Sequence, residues 1–337
     1  MTSHEGTNLV STLTRITDDQ KQQILASERV TAAHDTLLNS LPAMRELEVG
    51  GAGNLDRLPQ SFAVAAWNVE RCLFPDRSAA HLANHAPSVV LLSEMDKGMA
   101  RTSQVNTTAQ MAKALGMHYA YGVEFFEMDL GGPTERVFCS DSFNADGWHG
   151  NGILSAVPFE KLALFRLDEK GHWFSLDVNP GADPDQPRVG GRMAVAAILP
   201  TEQGAICVVS THLESNADAA HRHSQFADLL DRIEAFAPGL PVLIGGDLNT
   251  GNHIPPDYDW RVETLFDLAR ERGYHWDLTA DGVTTRNSLI TPHDTRRMKL
   301  DWFCARGFGG EALPLLPSLD GQGPLSDHEC ILCKVTL

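Results

Sequence analysis

Pro241-Val-Leu-Ile-Gly-Gly-Asp-Leu-Asn-Thr250 is the stretch from which the fold is read. A short apolar run closed by glycine marks a buried strand that stops and feeds a tight turn. Asp247 and Asn249 follow the glycines. If the strand continues, side chains two apart project the same way, and these two face one pocket. A negative acceptor beside a neutral amide can hold and orient a water molecule. Asp and Asn are also common turn residues, so the stretch gains meaning from others that end alike.

There are several. Ser61-Phe-Ala-Val-Ala-Ala-Trp-Asn-Val-Glu70 reads as a buried strand ending in Asn68 and Glu70, and Ser88-Val-Val-Leu-Leu-Ser-Glu-Met-Asp96 as another that delivers Glu94. A carboxylate directly after a Val/Leu run costs desolvation unless it has a partner, and a metal ion is one such partner. His149-Gly-Asn-Gly-Ile-Leu-Ser-Ala-Val-Pro158 sets Asn151 at a strand mouth, between glycines that permit close backbone approach. Ala205-Ile-Cys-Val-Val-Ser-Thr-His-Leu-Glu-Ser215 ends in His212. Lys299-Leu-Asp-Trp-Phe-Cys-Ala305 carries Asp301 among apolar neighbours, and Asp327 and His328 stand just before a closing strand. Arg192 opens an otherwise apolar strand, either reaching an anionic substrate or serving as a paired strand-end residue.

Between these strands, helices are expected at 79–86, 106–116, 216–236 and 261–272, with further strands near 118–125 and 163. Periodicity is lost over Glu127–Gly150, where Glu127, Asp129, Glu135, Asp141 and Asp146 stand against Arg136. Such a loop is either a lid or a surface insertion. A second loop, rich in Pro, Gly and Asp, spans 180–191. Residues 18–47 are helix formers broken by Gly50-Gly-Ala-Gly53, so 1–60 reads as a helical extension and linker docked on a main domain over 61–337.

Composition narrows the function. The chain has 337 residues, 42% hydrophobic and 21% charged, as in a globular protein. With 44 acidic against 27 basic residues the net charge is −17. That repels polyanions and argues against long duplex DNA as a partner. The opening Met-Thr-Ser-His-Glu-Gly lacks signal-peptide character, and no apolar run is long enough to span a membrane. Cysteines 72, 139, 207, 304, 330 and 333 lie mostly in apolar runs, as free thiols do in a reducing compartment. A cytoplasmic location with no membrane partner is therefore expected. Cys330 and Cys333 have CxxC spacing but no second pair.

Carboxylates and amides at strand ends suit Mg²⁺ or Mn²⁺, which take oxygen ligands. Two histidines and an Asp add proton transfer and charge stabilisation. Together they form a kit for metal-assisted attack of water on a phosphoryl centre.

The ordered set Trp-Asn-Val-Glu, Ser-Glu-Met-Asp, Gly-Asn-Gly-Ile-Leu, Ser-Thr-His-Leu-Glu-Ser, Gly-Gly-Asp-Leu-Asn-Thr, Leu-Asp-Trp-Phe and Leu-Ser-Asp-His-Glu resembles the endonuclease/exonuclease/phosphatase superfamily, the DNase I-like fold. The resemblance spans about residues 61 to 337 and implies an α/β fold, a four-layer α/β/β/α sandwich of two mixed β-sheets with helices outside. It also implies that Asn68 and Glu94, with Asp327 as a further ligand, hold the metal. Asp247 and Asn249 would orient the attacking water and phosphoryl group, and His212 and His328 would bind phosphate oxygens. Asp301 would orient His328, and Asn151 would help organise the pocket. Asp247 is the favoured base, although His328 with Asp301 can be drawn in that role; Glu70 is a less secure member. Ser93 stands where the family usually has Gln, and no basic, aromatic-rich insertion for gripping duplex DNA is evident.

The expected activity is divalent-metal-dependent hydrolysis of a phosphoester, as phosphodiesterase or phosphatase, on a small or modest substrate. The alternatives are an Mg²⁺-dependent nuclease, and an atypical or silent member that acts on or binds a non-phosphate ligand. Fold cannot choose among them.

Overall fold

The computed structural model describes residues 1–168, 170–182, 186–256, 258–293 and 297–337. In chain order its strands are β1 (Thr2–Ser3), β2 (Asn8–Val10), β3 (Glu46–Gly51), β4 (Ser61–Arg71), β5 (Val89–Lys97), β6 (His118–Phe126), β7 (Trp148–Ser155), β8 (Lys161–Arg166) and β9 (Val189–Gly190). They continue as β10 (Met193–Thr201), β11 (Gly204–His212), β12 (Val242–Asp247), β13 (Asp301–Arg306), β14 (Gly309–Leu316), β15 (Leu319–Asp320), β16 (Gly323–Pro324) and β17 (Cys330–Thr336). A six-stranded sheet has the order β1-β8-β10-β11-β12-β13; a larger one runs β14-β17-β4-β5-β7-β6-β3-β2, with β9 on β6. Both are mixed: β4 with β5 and β11 with β12 are parallel, whereas β17 with β4 and β12 with β13 are antiparallel.

Side chains alternate across a strand, and these strands are apolar on both faces because both faces are covered. Val64, Val89, Leu91, Val208, Leu243 and Phe303 meet between the sheets. Their neighbours Ala65, Trp67, Val90 and Leu92 turn the other way, onto Leu82 and Met111 of the helices Pro75–Ala83 and Thr107–Leu115. On the far side Val209, Ile244 and Cys304 pack against Phe226, Leu229 and Ile233 of the helix Ala219–Phe236. Three apolar seams separate four layers, and the fold is the α/β/β/α sandwich. Each fully buried Leu, Val or Phe in a seam contributes about 1.5–3 kcal/mol.

The helix expected over 106–116 is Thr107–Leu115; the Asn106 side chain accepts from Ala109 N at 3.0 Å, and Gly116 ends it at φ 65°. The helix expected from 216 begins at Ala219, capped by Asp218.

Two expectations need correction. Residues 1–60 are more than a docked helix and linker. They hold the helices Asp18–Ala26 and Thr31–Ser40, but β1 also extends the small sheet through β8, and β2 and β3 extend the large sheet beyond β6. Gly50 and Gly51, read as a break, lie within β3. A Cβ on Gly51 would sit 2.2 Å from the Met117 carbonyl oxygen. Glycine there serves close strand approach, which sequence cannot distinguish from a turn. Likewise, Gly245 and Gly246 do not stop β12, which runs through them to Asp247. A Cβ on Gly246 would meet the Thr211 carbonyl oxygen of β11 at 2.0 Å. The loop expected over 180–191 includes 183–185, which lie outside the described residues.

Candidate active site

Strand register brings the site together. His212 of β11 is paired with Asp247 of β12, and Asp247 with Asp301 of β13, so three candidate site residues stand side by side at one end of the small sheet. Across the inter-sheet seam, Asn68 of β4 is paired with Ser93 of β5. Both ladders shift register just beyond that point, and Glu94, at φ 58°, turns out of the sheet. Asn68 is fully buried and ties the two sheets at the site: its Nδ2 donates to Glu94 Oε1 at 3.0 Å and to Asp247 Oδ2 at 3.1 Å.

His328, which precedes β17, donates from Nδ1 to Asp301 Oδ2 at 2.8 Å; a carboxylate can only accept, so the proton lies on that nitrogen. Its Nε2 is 3.6 Å from Asp247 Oδ2 and 4.0 Å from Asp327 Oδ1. Burial disfavours its charged form, but Asp301, Asp247 and Asp327 outweigh burial and raise its pKa well above the usual histidine value. His212 is the opposite case. Its Nδ1 accepts from Arg192 Nη1 at 2.7 Å, which leaves Nε2 to carry the proton, 3.4 Å from Asp247 Oδ2. Burial and then Arg192 push its pKa well below the usual value. Asp247 therefore stands between a cationic and a neutral imidazole. Burial lifts its carboxyl to about 7, against the pull of His328.

Asn249 lines one cleft with Asp247, by another route than expected. The strand ends at Asp247 and Asn249 is left-handed, φ 50°, so simple alternation does not orient it. Its N–H donates to Asp247 Oδ1 at 2.8 Å and its Nδ2 to the Leu213 carbonyl at 3.0 Å. Arg192 is buried and held by Glu124 Oε1 at 2.7 Å, Glu214 Oε2 at 3.4 Å and Ser215 Oγ at 3.2 Å, and it borders the cleft beside His212. Asn151 is not brought to the cleft. It is fully buried, its Nδ2 donates to the Met193 carbonyl at 3.1 Å, and its Oδ1 has no partner among the described residues.

The donor set favours a hard cation. Glu94 and Asp327 border the same part of the cleft as Asp247, Asn249 and His328. Desolvation, with Glu94 nearby, holds Asp327 up at about 6. Glu70, which accepts from Ser288 Oγ at 2.6 Å and Thr291 Oγ1 at 2.9 Å, is lifted to about 8 by burial and by Asp327. Carboxylates crowded until they resist ionisation mark a place where added positive charge is favourable. Arg71, absent from the sequence reading, supplies some of it by pairing with Glu94. Burial pushes Glu94 up, yet Arg71 outweighs that and holds it well below the carboxylate range. Asp247, Asp301 and His328 also offer ligand atoms within 4.8 Å of one another, although the Asp301–His328 hydrogen bond already occupies Nδ1.

Four of the five acids of the 127–150 loop are paired with cations and do not form a negative rim; the fifth, Asp141, is exposed and accepts from Gln104 Nε2 and Ser140 Oγ, both at 3.0 Å. Glu127 is buried between Arg101 (2.8 Å) and Arg188 (2.6 Å), and Glu135 between Arg71 (2.9 Å) and Arg101 (3.0 Å). Asp146 meets Arg15 at 2.8 Å and Lys97 at 3.3 Å; Asp129 meets Arg136 at 2.6 Å. Counting charges along the loop missed these partners because most come from distant segments. Glu124 and Glu214 were also missed as clamps of Arg192. Glu214 stood inside a quoted motif, Ser-Thr-His-Leu-Glu-Ser, which was its one available signal.

A two-sheet sandwich with an Asp–His dyad, a second histidine and clustered carboxylates at the strand ends defines a class of hydrolytic enzyme fold. The chain belongs to the endonuclease/exonuclease/phosphatase family, whose sequence model matches residues 65–328, and so to a family of phosphoester hydrolases. It is 28% identical over 193 residues to a protein of Escherichia coli strain K12 named "Uncharacterized protein YbhP". That match covers 57% of this chain and 64% of the relative, so the chain spans less than two thirds of the relative's length. An endonuclease/exonuclease/phosphatase structure from Beutenbergia cavernae shares the fold with a TM-score of 0.58 at 18% identity, covering 82% of this chain and 72% of that one. The human Nocturnin catalytic domain with bound sulfate does so with a TM-score of 0.56 at 15% identity, covering 86% and 97%. Among the described residues no helix is long and apolar enough to cross a membrane.

Proposed function

We propose that the protein is a divalent-metal-dependent hydrolase of phosphoester bonds that acts on a small or modest substrate. The observation that carries this reading is the convergence of Asp247, the Asp301–His328 dyad and neutral His212 on one cleft beside the carboxylates Glu94 and Asp327.

Asn68, Glu94 and Asp327 would hold Mg²⁺ or Mn²⁺. The ion would supply charge neutralisation at the phosphoryl group and a water made more acidic. Asp247, with its carboxyl lifted to about 7, is poised to accept a proton from an attacking water near neutral pH. Asn249 steadies Asp247 from its backbone N–H. His328, kept protonated by Asp301, and the Nε2–H of His212 donate to phosphoryl oxygens as charge grows in the transition state. Binding of long duplex DNA is not part of this reading: the net charge of −17 opposes it.

A screen of phosphomonoesters, phosphodiesters and single- and double-stranded nucleic acids with Mg²⁺, Mn²⁺ or EDTA tests the proposal. Turnover of a small phosphoester that vanishes in EDTA and returns with metal is expected. Undiminished turnover by demetallated protein would overturn the metal requirement. Efficient, salt-sensitive cleavage of long duplex DNA would replace the small-substrate reading with a nuclease.

A further inference from the structure

Beyond His212 the cleft opens into a second lobe of about 350 Å³. It shares Glu94, Arg192, His212 and Ser215 with the catalytic lobe and then runs to Arg71, Arg188, Phe125 and Trp173. Three guanidinium groups line it, and each is clamped from behind. Arg71 Nε donates to Glu135 Oε1 at 2.9 Å, and Arg188 gives Nε and Nη2 to Glu127 Oε1 at 3.1 and 2.6 Å. Arg192 is clamped by Glu124 and Glu214 as described.

Glu124, Glu127, Glu135 and Glu214 are all buried, and none of them lines the lobe. Among the described residues Glu94 is the one carboxylate that does, at the border with the catalytic lobe. Apart from the Arg71–Glu94 pair, of which it meets both members, the lobe meets the positive end of these pairs. Stacking fixes two of the arginines further: Arg192 Cζ lies 4.4 Å from the Trp173 ring centre and Arg188 Cζ 5.2 Å from that of Phe125. Among the described residues no hydrogen bond is made by Arg71 Nη2 or Arg188 Nη1. Preorganised N–H edges of this kind suit a tetrahedral oxyanion.

We propose that this lobe binds a second phosphoryl group of the substrate, distinct from the one that is cleaved. The word substrate rests on the hydrolase reading above; the anion site itself does not.

The test is calorimetric titration of inorganic phosphate, in EDTA, into the full chain and its Arg188→Gln and Arg188→Lys variants, each first shown by thermal unfolding to be folded. In EDTA no metal can bridge phosphate to the catalytic lobe, and dependence of the binding on Arg188, which lines only the second lobe, assigns it there. One phosphate per chain is expected, weakened roughly tenfold or more by Arg188→Gln and partly restored by Arg188→Lys. Absence of phosphate binding, or binding indifferent to Arg188, overturns the second site even if hydrolysis proceeds. Arg188-dependent binding by a chain that hydrolyses no phosphoester upholds the anion site and overturns the hydrolase reading instead.

Discussion

The two lobes of the cleft use the same residue types in opposite senses. In the catalytic lobe carboxylates face the cavity, and desolvation and crowding lift Asp247 to about 7 and Asp327 to about 6. In the second lobe guanidinium groups face the cavity and, Glu94 at the border apart, the carboxylates stand behind them. Burial there is outweighed by Arg101 and Arg188 at Glu127, and by Arg71 and Arg101 at Glu135, so both acids titrate below their usual range. A buried charge is tolerated only when paired. The second lobe is paired within the protein, whereas the catalytic lobe carries a surplus that a cation or a proton must offset.

The deepest test of this contrast is at Asp301 and His328. Asp301→Asn keeps a hydrogen-bonding group but loses the charge that holds His328 protonated. A fall in kcat of roughly 10²- to 10⁴-fold is expected, with little change in metal affinity. His328→Ala should be at least as damaging, and the double variant scarcely worse than His328→Ala alone. Additive losses in steady-state kinetics would assign Asp301 to strand packing.

Asp247 offers a test through stability. Its folded pKa of about 7 lies above the ordinary 3.8. Ionising it therefore opposes folding, increasingly as pH rises above the ordinary value and fully above the folded one. In EDTA, Asp247→Asn should unfold at a higher temperature than the wild type near pH 8. The gap should close as the pH falls toward the ordinary value, where native and unfolded chains both bind the proton. A variant less stable at every pH would show that the carboxylate is adequately paired without metal.

Asn151, which does not line the cleft, carries the smallest expected effect on activity. Buried and bonded to the Met193 carbonyl, it should cost about 1–3 kcal/mol of stability when replaced by Ala and leave kcat nearly intact. A kcat loss with unchanged thermal unfolding would restore it to the pocket.

The strands were legible because every one that matters is covered on both faces, so that Val64–Trp67, Val89–Leu92 and Val242–Ile244 are unbroken apolar runs. The polar residues closing those runs were legible for the same reason, since a carboxylate or imidazole after such a run must have a purpose or a partner. Their order along the chain pointed to the fold. Only the tertiary structure decided which partner each one has. Strand register sets His212, Asp247 and Asp301 abreast, and two register shifts turn Glu94 outward. Arg192 makes one imidazole neutral while Asp301 makes the other cationic. Arg101 and Arg188 consume acids that composition counted as surface charge. These are pairings across long sequence separations. Coulomb energy depends on distance and burial, and neither is written in the order of residues.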